Sequence, residues 1–274
     1  MQIGKKNFNL HERTFIVGIL NVTPDSFFDG GAYNSLEQAV NRAKKMVADG
    51  ADIIEIGGES SRPGFTPVDA QTEMERILPI LKAVNQAIDI PIAIDTYKSE
   101  VAEAALQNGA VLINDIFCFK RDPELPKVCA KYNAACCIMH NRDDTSYDNI
   151  LLDIITDLNE GIDRLLSAGV APQKIITDPG IGFAKDTKQS IHVLRNLSYF
   201  TALPYPVMLG ASRKSFIGNS IGLPVEDRLE ATIATTVLAI HQNCSFIRVH
   251  DVKENKRAAM IADVLIRNRG YVNG

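Results

Sequence analysis

The sequence predicts an α/β fold, a single-domain (β/α)8 barrel of the TIM type. Three observations predict it. The chain has 274 residues, close to the roughly 250 typical of such a barrel. Eight short apolar runs alternate with stretches of helical periodicity, the pattern of a parallel sheet buried on both faces. A polar, glycine-rich or charged motif follows the C-terminal end of every run, as it should if those ends converge on one functional face.

The runs are Phe15 to Leu20, Asp52 to Ile56, Pro91 to Ile94, Val111 to Ile113, Ala135 to Met139, Lys174 to Thr177, Pro206 to Leu209, and Phe246 to Val249. Of the helices between them, the clearest opens at Ser35, with Gln38 three residues on in a capping-box pattern. Its apolar positions Leu36, Val40, Ala43 and Val47 share one face, and Gly50 suits a left-handed stop. Gly109 repeats that stop. Asp122 and Pro123 look like an N-cap and a first-turn proline. Asp148 to Ala168 is the longest helical stretch, and Arg228 to His241 and Lys253 to Asn268 complete the last two units. Pro79, inside a helical stretch, should kink or split it. An open doubly wound sheet is the alternative fold. No linker or low-complexity segment divides the chain, so one domain is expected over 1–274, with the barrel core at about 14–268.

Composition narrows the function. Apolar residues make up 46% of the chain and charged residues 23%, as in an ordinary globular protein. A net charge of −4 argues against a nucleic-acid partner, which needs a basic excess. Five cysteines, without a Cys-x-x-Cys pair, form neither a disulfide framework nor a zinc site. A reduced, cytoplasmic protein is expected. Met1 to Leu10 is polar and lacks a signal peptide's apolar stretch. No run reaches the roughly 18 apolar residues of a membrane span, so no membrane partner is expected.

The motifs at the run ends indicate a ligand. They comprise residues 21–31, Gly57 to Gly64, Asp95 to Lys98, Asn114-Asp115, His140 to Arg142, Asp178 to Phe183, Gly210 to Ser215, and Arg248 to Asp251. Arg62, Lys214, Arg248 and His250 form a cationic set suited to phosphate or diphosphate. Asp95, Asp178 and Asn114 form an acceptor set, and buried carboxylates need donors. The ligand implied has a flat hydrogen-bonding head and an anionic tail.

These motifs resemble those of the dihydropteroate synthases, from Phe15 to Val252. The specific ones are Asn-Val-Thr-Pro-Asp-Ser-Phe at 21–27, Asp-Pro-Gly-Ile-Gly-Phe at 178–183, Ser-Arg-Lys-Ser-Phe at 212–216 and Arg-Val-His-Asp at 248–251. The resemblance implies a homodimeric enzyme of folate synthesis. It would join (7,8-dihydropterin-6-yl)methyl diphosphate to 4-aminobenzoate, releasing diphosphate, with Mg2+ as cofactor and sulfonamides as inhibitors. It assigns the pterin pocket to Asp95, Asn114, Asp178 and Lys214, with Arg248 over the ring. It assigns diphosphate to Arg248 and His250, and magnesium to Asn21. Ser61, Arg62, Pro63, Phe183, Lys214 and Ser215 match the 4-aminobenzoate site, Ser61 also serving the diphosphate substrate. Asp29 matches an acid that organises the reacting complex. The catalytic set is then Asp29, Arg62, Lys214, Arg248 and His250.

The chain departs from the family at Asn141 to Asp144, where a glycine-containing segment is common, and at Glu230 to Ala234. Arg142, Asp143 and Asp144 read as a solvated loop. His11, His192 and His241 read as surface or packing residues, while His140 is open to either a structural or a functional role. The first two loops, Val22 to Gly31 and Ser60 to Pro67, are expected to be the most mobile. A pterin-dependent methyltransferase and a noncatalytic pterin binder are the rival functions. The diphosphate pair and the Ser-Arg-Lys-Ser run argue against the first, and the presence of Asn21, Lys214, Arg248 and His250 against the second.

Overall fold

The computed structural model describes residues 1–22, 31–59 and 66–267. The chain opens with a small antiparallel hairpin, β1 (Gln2–Ile3) and β2 (Lys6–Asn7). Eight strands then form the centre: β3 (Phe15–Asn21), β4 (Ile53–Gly57), β5 (Ile92–Asp95), β6 (Leu112–Asp115), β7 (Ala135–Met139), β8 (Ile175–Asp178), β9 (Met208–Leu209) and β10 (Phe246–Val249). All are parallel, in the order β8-β7-β6-β5-β4-β3-β10-β9. A bridge between Thr177 and Val207 closes the ring, with the Thr177 N–H donating to the Pro206 carbonyl at 2.9 Å. Closure rules out the open doubly wound sheet. Each predicted run is a strand, and β9 is the shortest because Pro206 supplies no N–H to the ladder.

The helices pack outside: α1 (Gly31–Ala48), α2 (Ala70–Ala87), α3 (Ser99–Gln107), α4 (Leu125–Lys131), α5 (Ile150–Ser167), α6 (Thr187–Arg195), α7 (Ser198–Thr201), α8 (Ser215–Ile221), α9 (Leu229–His241) and α10 (Val252–Arg267). Outward strand residues such as Ile54, Ile94, Ile113 and Ile138 bury against them. One cap recurs where helices turn into strands. At Gly50, Gly109, Asn133, Gly169 and Asn243 the backbone has positive φ. The next residue's N–H bonds back five positions, as from Ala51 to Met46 at 2.9 Å. This is the Schellman closure, and it keeps the N-terminal-end turns short.

Three expectations need correction. α1 starts at Gly31, so Ser35 lies inside it; no breaker separates the two, and a residue with helical backbone cannot serve as an N-cap. Pro79 does not split α2, which runs unbroken from Ala70 to Ala87. Pro79 and Glu75 lie on its solvent side, where water can serve the carbonyl left without an N–H. Asp122 does not cap α4, which begins at Leu125 with Pro126 in its first turn. The Asp122 carboxylate instead accepts from the Ser99 N–H at 2.7 Å, at the start of α3.

The amino-terminal segment has a role its polar composition conceals. Ile3 and Phe8 are buried in a cluster with the inward residues Phe15, Val17, Ile53 and Phe246. Phe8 meets Phe15 edge-on, with ring centroids 4.9 Å apart. The hairpin thus plugs the N-terminal end of the barrel. Among the described residues no helix is long and apolar enough to cross a membrane.

The start of β3 is tied to α10 by a buried carboxylate. Asp263 accepts from the Thr14 N–H at 2.7 Å and the Thr14 hydroxyl at 2.8 Å. Asp263→Ala should lower the unfolding free energy by about 1–3 kcal/mol for each donor left unsatisfied. A denaturant midpoint unchanged from the parent would contradict this anchoring role.

Candidate active site

Successive strand residues alternate between the helices and the barrel axis. The inward set therefore changes character by tier. Near the N-terminal ends it is apolar: Val17, Ile53, Ala93, Leu112, Ile176 and Met208. Two residues further along β4, β5, β6, β8 and β10 it becomes polar: Glu55, Asn114, Asp178 and Arg248 are buried and Asp95 is half-buried. Side chains at equivalent heights of a closed ring must meet.

Arg248 stands at the centre of that tier. Its Nη1 donates to Glu55 at 3.4 Å and its Nη2 to Asp178 at 3.2 Å. Asp178 also accepts from the Gly180 N–H at 2.8 Å. Asn114 donates through Nδ2 to Asp95 at 3.3 Å, while its own Oδ1 is buried with no hydrogen-bond partner among the described residues. Burial raises the carboxyl of Glu55, an effect the Arg248 guanidinium opposes. Burial, then the charge of Glu55, raises Asp95 well above its ordinary value. Two cations, Arg248 and Lys214, face three acids here. Gly210 makes room for the guanidinium: a Cβ there would lie 2.7 Å from the Arg248 Nη2.

The rim comes from the loops beyond the strands. Lys214 donates to the Ile181 carbonyl, and its ammonium sits 4.4 Å from the Phe183 ring centroid. Burial lowers its pKa to about 7, with Asp178 opposing. Ser215 is the first residue of α8, directly after Lys214. Arg213 turns the other way, pairing with Asp251 at 2.7 and 3.0 Å. Ile116, Phe117 and Met139, packed with Tyr97 and Phe183, form an apolar wall. Asn21 ends β3 opposite Gly57; from a Cβ at Gly57 its Oδ1 would be 3.7 Å away and the Asp95 Cβ 3.6 Å.

His250 departs from expectation. Burial lowers its pKa to about 4, so at neutral pH it is not a cation. Its Nδ1 lies 2.9 Å from the Ser212 hydroxyl, which also accepts from the His250 N–H at 3.2 Å. With the hydroxyl proton donated to Nδ1, Nε2–H is left as a neutral donor.

The structure thus brings Asp95, Asn114, Asp178, Lys214, Arg248, Asn21, Phe183, Ser215 and His250 to one end of the barrel. Asp29, Ser61, Arg62 and Pro63 lie outside the described residues, as does most of the two loops expected to be mobile. Glu55 and Ser212 went unrecognised as site residues. An acid inside the apolar run Asp52 to Ile56, in step with inward Ile53, was the signal for Glu55. Arg142 is corrected as well. It is partly buried and donates to Asp157 at 2.7 Å, because His140 alone does not satisfy that carboxylate; Asp143 and Asp144 are exposed as expected.

A closed (β/α)8 barrel with a hydrogen-bonding floor and a cationic rim defines an enzyme that encloses a flat polar ring with an anionic tail. The family described as pterin binding enzyme matches residues 17–250. The dihydropteroate synthase of Clostridium beijerinckii is 53% identical, over 97% of this chain and 100% of the relative. A crystal structure of dihydropteroate synthase from Clostridium difficile, in the presence of pteroic acid, superposes with a TM-score of 0.93 at 49% identity, covering 95% of this chain and 100% of that one. The Yersinia pestis dihydropteroate synthase in complex with a sulfonamide drug gives 0.90 at 36%, covering 96% and 98%. The chain belongs to the pterin-binding enzymes and, within them, to the dihydropteroate synthases. It is a transferase that condenses (7,8-dihydropterin-6-yl)methyl diphosphate with 4-aminobenzoate, giving 7,8-dihydropteroate and diphosphate in folate biosynthesis.

The charge count makes a pH prediction. The Glu55 carboxyl is raised in the fold, so above the ordinary carboxylate range the folded protein binds more protons than the unfolded chain. Stability is then lost as pH rises through that window. Glu55→Gln escapes this loss. Its melting temperature relative to the parent should climb as pH rises above the ordinary carboxylate range. A constant or falling difference in a thermal scan would refute the count.

Proposed function

We propose that the polar tier is the pterin pocket and the rim the place of chemistry. One observation carries this reading. Among the described residues the Asn114 Oδ1 is buried without a partner, beside an Asp95 carboxyl that receives one long amide bond from them. Unsatisfied buried acceptors are costly, and the ring N–H and amino groups of a pterin are the donors they lack. Asp178 would accept from the same edge. Lys214 would donate to the pterin, and Arg248 would lie over the ring. The wall of Ile116, Phe117 and Met139 suits the flat face of a heterocycle.

The diphosphate would extend to the rim, where Arg248 offers charge and the His250 Nε2–H a neutral hydrogen bond. Magnesium fits this donor set. Asn21 offers an amide oxygen, and among the described residues no group of three His, Cys, Asp or Glu competes for a metal. An ion held mostly by phosphate oxygens and water suits Mg2+. Asn21 would hold it, and when bound it would supply positive charge to the leaving diphosphate. Phe183, Lys214 and Ser215 would receive 4-aminobenzoate, completed by Ser61, Arg62 and Pro63, while Asp29 and Arg62 would close the reacting complex.

The arylamine is already a nucleophile, so no protein base is needed for attack. The harder task is departure of diphosphate from the pterin methylene. Arg248 and His250 favour it by stabilising charge as it develops, and the electron-rich pterin shares positive charge on its methylene. A C–O bond breaks, a C–N bond forms, and the amine's proton leaves afterwards. Exposed Leu238, Ile261 and Leu265 on the neighbouring helices α9 and α10 support a homodimer. Five free, buried cysteines support a reducing, cytoplasmic setting.

Asp95→Ala and Asp178→Ala should each lose pterin affinity by at least about fivefold in calorimetry, since each removes an acceptor worth roughly 1–3 kcal/mol or more. Unchanged affinity in either variant would sink the pocket assignment. His250→Ala should weaken retention of pterin diphosphate while a pterin lacking the diphosphate binds nearly as before. Equal losses for both ligands would move the diphosphate elsewhere.

A further inference from the structure

Beneath the rim lies a buried ionic cluster that the chemistry above does not use. Lys185, only 7% exposed, lies in the loop that links β8 to α6. Its ammonium meets His140 Nδ1 at 2.8 Å, the Gly180 carbonyl at 3.0 Å and the Phe183 carbonyl at 3.0 Å. An ammonium has three N–H bonds, and these three acceptors use all of them. Nδ1 must then be unprotonated, so Nε2 carries the proton and donates to Asp157 at 3.0 Å. Asp157 is pinned in turn by Arg142 at 2.7 Å and Lys120 at 3.1 Å. Burial, and then the charge of Lys185, lowers the His140 pKa to about 3, in keeping with a neutral ring.

We propose that Lys185 is a positioning residue for both substrates: it fixes the loop that carries Asp178 and Phe183, and His140 with Asp157 fixes Lys185. The inference rests on the reading of those two residues as substrate-lining. The Gly180 carbonyl is gripped from below while the N–H of the same residue donates to Asp178 at 2.8 Å. That sets the carboxylate facing Arg248. At the far end the Phe183 carbonyl is gripped by the same ammonium, and the ring lies under Lys214. The loop also carries positive φ at Gly180, Gly182 and Ala184, and a Cβ on Gly180 would fall 2.0 Å from the His140 carbonyl oxygen. A loop so bent holds one shape only if its carbonyls are held. Among the described residues no carboxylate touches the ammonium directly, and burying a charge this way is costly: burial lowers the Lys185 pKa to about 7. A methionine would fill the space at less cost but could not orient two carbonyls.

The test is kinetic, with stability measured alongside. Lys185→Met should raise KM for both substrates at least tenfold, with a melting temperature equal to or above the parent's, because an apolar replacement removes a buried charge. A merely structural lysine would lose melting temperature and active fraction while KM stayed put. His140→Leu should follow Lys185→Met. His140→Gln places a carbonyl oxygen near Nδ1 and an NH2 near Nε2, and should keep both KM values within about twofold of the parent's. If Lys185→Met fails to fold, the two His140 variants carry the test alone. Unchanged KM values in Lys185→Met or His140→Leu, or a glutamine variant as impaired as the leucine one, would overturn the proposal. Asp178→Ala, measured beside them by calorimetry, separates the two levels. If it binds pterin normally, the pocket reading has failed and takes this inference with it. If it loses pterin while Lys185→Met keeps both KM values, the inference alone has failed.

Discussion

A guanidinium held away from water organises the open end of this barrel. Arg248 sits on an inward position of β10, where ring closure surrounds it with the strand ends of β4 and β8. A buried charge must be answered by buried charge. Glu55 and Asp178 answer it, and their presence sets the rest. Gly210 is small because the guanidinium lies against it. Asp178 is held from its other side by a loop N–H. The apolar tier below keeps water from competing, so each pairing in the polar tier acts at low dielectric.

The same constraint explains the ligand's character. Carboxylates outnumber cations around the axis, and one amide oxygen faces inward with no protein donor. Such a floor accepts hydrogen bonds in excess of what it can give. Nearer the rim the balance reverses, with Lys214, the neutral His250 donor and the Arg248 charge within reach of one another's ligands. A molecule that gives protons at one end and carries negative charge at the other matches this gradient along a single axis.

Much of this was legible in the sequence, for identifiable reasons. Asp95, Asn114 and Asp178 announce themselves because each directly follows an apolar run, and Arg248 because it opens the Arg-Val-His-Asp motif at the end of the last one. Glu55 was harder to see: it lies inside its run, and only its step from Ile53 marks it as inward. His250 was visible as a residue but not as a neutral one, since its charge is decided by burial and by a serine 38 positions away. The His140–Lys185 pairing spans 45 residues, and nothing local signals it. Helix starts were the weakest reading. Ser35 and Asp122 both carry cap chemistry, yet α1 starts four residues before the first and α4 three residues after the second. Asp29, Ser61, Arg62 and Pro63 stay expectations of the resemblance alone.

The amino-terminal hairpin has a consequence for traffic. With Ile3 and Phe8 packed into the N-terminal end, the axis of the barrel is a blind well. Everything that enters must leave by the same opening. A ring lodged at the bottom is therefore last out, and whatever lies above it must clear the mouth first. Turnover in such a well is a stack, emptied in the reverse order of its filling.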